Sequence, residues 1–114
     1  GDGRGRGLGF PTANVLPQPG ALPPNGVYAV EVMLDGSNRA GVANLGARPT
    51  FAGSDAQARH LEVHLLDFAG DLYGKELEVA FRQFLRPERR FDDPTALREQ
   101  IARDVAAARV VASA

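Results

Sequence analysis

The sequence predicts a mainly β domain, a small antiparallel barrel closed by one C-terminal helix. Apolar and polar residues alternate with period two in 26–34, 60–68 and 76–85, the pattern of half-buried strands. Glycine, proline, asparagine and aspartate cluster between those runs, where turns belong. After Asp93-Pro94 the apolar period changes to that of an amphipathic helix. The 114 residues are one domain's worth of chain.

Glycine at positions 1, 3, 5, 7 and 9 makes an opening that can approach a ligand or another backbone closely, because no Cβ intervenes. Residues 10–15 read as a short extended piece, since Pro11 biases Phe10 away from the helical region. Pro19, Gly20, Pro23 and Pro24 make 18–25 a surface loop. In 26–34, Tyr28, Val30, Val32 and Leu34 share one side with Glu31 on the other; Asp35-Gly36-Ser37-Asn38 is a hairpin turn, and 39–45 returns. Residues 52–58 read as a loop. In 60–68, Leu61, Val63 and Leu65 face inward, and His60, Glu62 and His64 form a wet face. In 76–85, Leu77, Val79, Phe81 and Gln83 oppose Glu78, Ala80 and Arg82. Asp93 caps the helix with Pro94 at its first position, and Leu97, Ile101, Val105 and Ala108 form its apolar stripe.

Composition excludes several function classes. Thirteen Lys and Arg against fourteen Asp and Glu give a net charge of -1, so no global positive field gathers nucleic acid or an acidic membrane, and any anion site is local. Zero cysteines exclude disulfides, thiolate nucleophiles and sulfur-based zinc sites. No apolar run approaches the roughly 20 residues that span a bilayer as a helix. A barrel that binds oligosaccharides or oligonucleotides would need a stacking platform, which 7% aromatics do not supply.

Familiar motifs fail on arithmetic. The odd-numbered glycines cannot meet the odd offset of a dinucleotide fingerprint. Gly74-Lys75 lacks the preceding glycine of a phosphate loop and is followed by Glu76 where Ser or Thr is required. His60-Leu61-Glu62-Val63-His64 has its glutamate one place too late for a zinc-protease helix and lies in a strand pattern. A polar set survives. Thr12 and Asn14, two apart in an extended piece, project from one face and can offer two neutral oxygens to a hard cation such as Mg²⁺. Spacing alone favours the blander role, a turn cap and a local backbone bond. For Glu62 on an apolar strand the blander reading, a solvent-facing carboxylate on a wet face, starts ahead. Arg4 and Arg6 can meet phosphates or simply be exposed.

Taken in order, Gly7-Leu8-Gly9-Phe10-Pro11-Thr12-Ala13-Asn14, Gly26-Val27-Tyr28, Asn44-Leu45-Gly46-Ala47-Arg48-Pro49-Thr50-Phe51, Glu62-Val63-His64, Asp71-Leu72-Tyr73-Gly74 and Phe84-Leu85-Arg86-Pro87-Glu88 resemble the riboflavin kinase family. The likeness is strongest to the C-terminal kinase module of bacterial bifunctional FAD synthetases and runs over nearly the whole chain. It implies a six-stranded antiparallel riboflavin-kinase-like β-barrel with a C-terminal α-helix, in a cytoplasmic enzyme that phosphorylates the riboflavin ribityl 5′-hydroxyl with ATP to give FMN. By motif, the resemblance implies Thr12 and Asn14 as Mg²⁺ ligands and Glu62 as catalytic base. It implies ATP binding by Gly1, Arg6, Thr12, Leu65, Asp67 and Tyr73, and flavin binding by Arg86, Arg89 and Phe91. Segments 18–25, 52–58 and 87–93 are candidate lids that exclude water.

In the family the first strand begins before the glycine-rich opening. Residues 1–114 are therefore expected to be a riboflavin kinase domain lacking the start of that strand, with an FMN adenylyltransferase domain upstream in the longer protein. The partners expected are riboflavin, FMN, ATP and ADP, with neither nucleic acid nor membrane. The competing expectation is a flavin-binding or regulatory module that keeps the barrel but has lost catalysis.

Overall fold

The computed structural model describes residues 12–15, 22–47, 59–70, 72, 75 and 77–113, with 12–15 and 47 described as backbone. They form β1 (Thr12–Val15), β2 (Gly26–Leu34), β3 (Ser37–Ala47), β4 (Arg59–Leu65), β5 (Glu78–Arg86) and α1 (Pro94–Ser113). The strands make one five-stranded sheet in the order β1-β4-β3-β2-β5, antiparallel at every pairing. The mainly β architecture with a C-terminal helix is as the alternation predicts. Among the described residues the sheet is open, with β1 and β5 at its edges, where the resemblance implies a closed barrel of six.

The β2–β3 hairpin turns at Asp35 and Gly36, with φ of 50° and 79°, between the paired Leu34 and Ser37. A two-residue hairpin loop of this hand needs positive φ at both positions, which glycine adopts freely and aspartate tolerates. The strand alternation then sorts side chains onto two faces. Tyr28, Val30, Val32, Leu34, Ala43, Leu45, Leu61, Val63, Leu65 and Leu72 form the inner core. Leu45, Leu61, Leu65, Val32 and Val63 are almost wholly buried, each worth about 1.5–3 kcal/mol relative to exposure. On the outer face, Ile101, Val105 and Ala108 of α1 pack against Val27, Ala29, Val42 and Leu66.

The helix starts where its cap requires. The Asp93 carboxylate accepts a hydrogen bond from the Thr95 N–H at 2.9 Å, satisfying one of the first-turn donors, and Pro94 has no N–H to satisfy. Among the described residues no helix is long and apolar enough to cross a membrane.

Two local expectations fail for identifiable reasons. The β2–β5 register shifts between Val27 and Tyr28 and again between Ala29 and Val30. These irregularities pair Phe84 with Tyr28 and Gln83 with Ala29, so Gln83 belongs to the outer face rather than to that of Phe81. The shift between Val27 and Tyr28 brings Arg86 opposite Val27 on the helix side. The face of His60, Glu62 and His64 is not uniformly wet either. α1 packs on this side of the sheet, and the His64 side chain is only 12% exposed.

Candidate active site on the outer face of the sheet

Asn14 is the register partner of Glu62, and Glu62 is in turn the partner of Asn44. Directly paired residues share a face of an antiparallel sheet, so β1, β4 and β3 carry positions 14, 62 and 44 in one row at a strand spacing of about 4.8 Å. The next row is Thr12, His64 and Val42. Val42 lies beneath the helix, which identifies this as the outer face. Residues remote in sequence are thus gathered on a floor bordered by α1.

Glu62 stands at the open part of that floor, its side chain 38% exposed. His64 Nε2 lies 3.9 Å from Glu62 Oε1. Burial pushes the His64 imidazole below its ordinary value of 6.5, against the opposing pull of the Glu62 and Asp104 charges. Desolvation wins, so the ring is neutral near pH 7 and the contact is not an ion pair. His64 Nδ1 and Asn44 Oδ1 are buried with no hydrogen-bond partner among the described residues.

The wall beside the floor is built by β5, α1 and the segment joining them. Arg86 Nε donates to Asp104 Oδ1 at 2.9 Å and Arg86 Nη2 to Asp104 Oδ2 at 2.8 Å. Gln100 Nε2 adds a third bond to Asp104 Oδ1 at 3.0 Å. Asp104 is 5% exposed, and this fork with the guanidinium compensates its buried charge. Beyond it, the Arg89 guanidinium lies 4.9 Å from the centre of the Phe91 ring and that of Arg86 5.9 Å. An aromatic face with two cations beside it suits a flat conjugated ring or an anion.

Residues 1–112 match the family model for riboflavin kinase, the flavokinases. The chain belongs to the riboflavin kinase family. It is 56% identical over 108 residues to a bifunctional riboflavin kinase/FMN adenylyltransferase of Pseudomonas fluorescens, covering 95% of this chain and 34% of that protein. It is 52% identical over 110 residues to the protein of the same name from Escherichia coli K12, covering 96% and 34%. The chain therefore spans about a third of the length of these curated relatives. A solved structure described as a macrolide-efflux protein from Streptococcus pneumoniae superposes with a TM-score of 0.83 at 34% identity, over 96% of this chain and 35% of that one.

Within this riboflavin kinase fold, Thr12, Asn14 and Glu62 occupy adjacent rows of one face. Arg86, Arg89 and Phe91 form a second cluster at the join of β5 and α1. Leu65 belongs to the inner core, 1% exposed. Asp67, in the turn after β4 at φ 52°, accepts two bonds from Arg109, at 2.6 and 2.8 Å. Gly1, Arg6 and Tyr73 lie outside the described residues, as does segment 52–58. The end of segment 18–25 is tied down: the Tyr28 hydroxyl donates to the Pro24 carbonyl at 2.6 Å, and Arg59 donates to the Asn25 side chain at 2.8 Å and to the Pro23 carbonyl.

Three polar residues escaped the sequence reading. Asp104 had a usable signal, because positions 101, 104, 105 and 108 share one helical face and an acid inside an apolar stripe demands a buried partner. Gln100 carries no such signal, and Asn44 stands in a motif block of the resemblance without an assigned role, since its neighbours are set by cross-strand register.

Proposed function

We propose that the chain transfers the γ-phosphoryl group of ATP to the ribityl 5′-hydroxyl of riboflavin, giving FMN and ADP, with Glu62 as the general base. The observation carrying this reading is the row formed by Asn14, Glu62 and Asn44 across β1, β4 and β3, flanked by the guanidinium and aromatic cluster of Arg86, Arg89 and Phe91. It supplies an accessible carboxylate beside the position of a neutral oxygen donor, with a platform for a flat ring at one border.

In the reaction, the hydroxyl oxygen bonds to the γ-phosphorus as the bond from that phosphorus to the bridging oxygen breaks. The hydroxyl proton passes to the Glu62 carboxylate and ADP leaves. Neutral His64 gives Glu62 no cationic partner. Arg86, held by Asp104, and Arg89 with Phe91 orient the flavin. Thr12 and Asn14 hold Mg²⁺, and their residue types fit it: neutral hydroxyl and amide oxygens at alternate positions of one strand face, beside a carboxylate position. Bound there, the ion neutralises phosphate charge. Gly1, Arg6, Thr12, Leu65, Asp67 and Tyr73 complete the nucleotide side of the proposal, in which Leu65 offers backbone rather than its buried side chain.

The same proposal includes closure of the sheet into the six-stranded barrel, a cytoplasmic setting, and an FMN adenylyltransferase domain in the same polypeptide, the second activity printed in the relatives' names. Incubating the protein with riboflavin and Mg-ATP and separating the flavins chromatographically tests the activity. FMN and ADP should appear in equal amounts. Riboflavin binding without product would overturn the catalytic reading and leave a binding module.

A further inference from the structure

Gly46 is buried in β3, and a Cβ built on it would fall on the carboxylate of Glu88. The three heavy atoms nearest that point are Oε2, Cδ and Oε1 of the one residue. Gly46 pairs with His60, two residues from the Asn44–Glu62 pair, so alternation gives position 46 the same face as Glu62. The Glu88 carboxylate thus rests on the floor of the candidate site, one strand repeat, about 6.8 Å, along from the Glu62 row.

Glu88 lies within the segment that carries the flavin-side residues. Immediately before it, Arg86 is fixed by Asp104 and Pro87 restricts its own φ. Immediately after it come Arg89 and Phe91, in contact with each other. Between Arg86 and the start of α1 at Pro94, Arg89 and Phe91 need an intermediate anchor to the sheet. The carboxylate on Gly46 provides one, and the absence of a side chain at 46 makes room for it.

We propose that Glu88 is a positioning residue, its carboxylate seated on the bare backbone of Gly46 so that Arg89 and Phe91 are held at the border of the flavin site. This rests on the riboflavin kinase reading. Glycine at 46 is then needed as a seat rather than for backbone freedom, and Gly46→Ala acts by evicting Glu88. Only the far end of a flexible side chain has to move, so the sheet can keep its register.

A double-mutant cycle tests the seat. Riboflavin affinity is measured by quenching of flavin fluorescence and KM by steady-state kinetics, for the unaltered protein, Gly46→Ala, Glu88→Ala and the double variant. Each single change should weaken riboflavin binding about tenfold and raise its KM similarly, with the KM for ATP unchanged within about twofold. The double variant should be no worse than either single, because one vacancy of the seat is all there is to lose. Glu88→Gln, which preserves shape, should recover most of the affinity. Losses that multiply to about a hundredfold in the double variant, or single variants that bind riboflavin normally, would overturn the proposal. If Gly46→Ala alone fails to fold, the double variant should fold and bind like Glu88→Ala, and its failure to do so overturns the seat. An unaltered protein that binds no riboflavin instead refutes the kinase reading, a distinct result.

Discussion

Arg86 and Asp104 meet across the join of β5 and α1 as a two-pronged pair, 2.9 Å from Nε to Oδ1 and 2.8 Å from Nη2 to Oδ2. The carboxylate side chain is 6% exposed and the arginine side chain 21%. One interaction thereby docks the helix and fixes the guanidinium that the proposal places beside the flavin. Asp104→Ala leaves Arg86 half-buried and unpaired, which costs about 3 kcal/mol on the scale of broken buried pairs. We expect a lower denaturation midpoint and, separately, a raised KM for riboflavin at temperatures where the variant remains folded. Asp104→Asn keeps an acceptor for Arg86 and should lose less on both measures. Equal stability of Asp104→Ala and the unaltered protein would show that the pair is idle.

Glu62→Gln should suppress FMN formation by about 10²–10⁴-fold, the range associated with general acid–base catalysis. The amide keeps the size of the side chain but cannot take the hydroxyl proton. Mg-ATP binding should be nearly unchanged, since phosphate contacts lie elsewhere in the proposal. Chromatographic turnover and equilibrium nucleotide binding read the two quantities independently, and undiminished turnover would remove Glu62 from the mechanism.

Positions 12 and 14 give a metal-specific prediction. Removing one of the two proposed neutral oxygen ligands with Thr12→Ala or Asn14→Ala should shift the Mg²⁺ dependence of turnover to higher concentration, with part of the activity recovered at saturating metal. A titration that superposes on that of the unaltered protein would assign both residues a structural role.

The division between what sequence reveals and what it hides follows the range of the interactions. The hairpin at Asp35-Gly36 and the cap at Asp93-Pro94 are local, and both stand where turn chemistry puts them. The inner face of β2 and β4 follows from alternation alone. Alternation puts Gln83 on the wrong face because a register shift depends on the partner strand. Alternation does not reveal that His64 is covered, because it names two faces without saying which of them a helix packs on. The rows at Glu62 and the seat at Gly46 depend on pairings between remote strands and on a side chain from a distant loop. Motif resemblance could name Thr12, Asn14 and Glu62 as a set, but it gave no account of Asp104, Asn44 or Glu88.

His64 makes folding stability depend on pH in a direction fixed by its surroundings. Desolvation lowers its pKa from the ordinary 6.5, with Glu62 and Asp104 opposing that shift. Below about pH 6.5 the unfolded chain therefore takes up a proton that the folded chain resists. The contribution of neutral His64 is fully present above that value and is lost as pH falls through the folded pKa. Asp67, lowered from 3.8 by its hydrogen bonds to Arg109, gives a contribution lost only in a more acidic window. Urea midpoints measured without metal or nucleotide should thus fall between pH 7.5 and 5.5. In His64→Gln, which cannot titrate, the decline over this interval should be shallower. Parallel pH profiles for the two proteins would mean that the buried imidazole carries no penalty for protonation, and that water or movement of α1 relieves it.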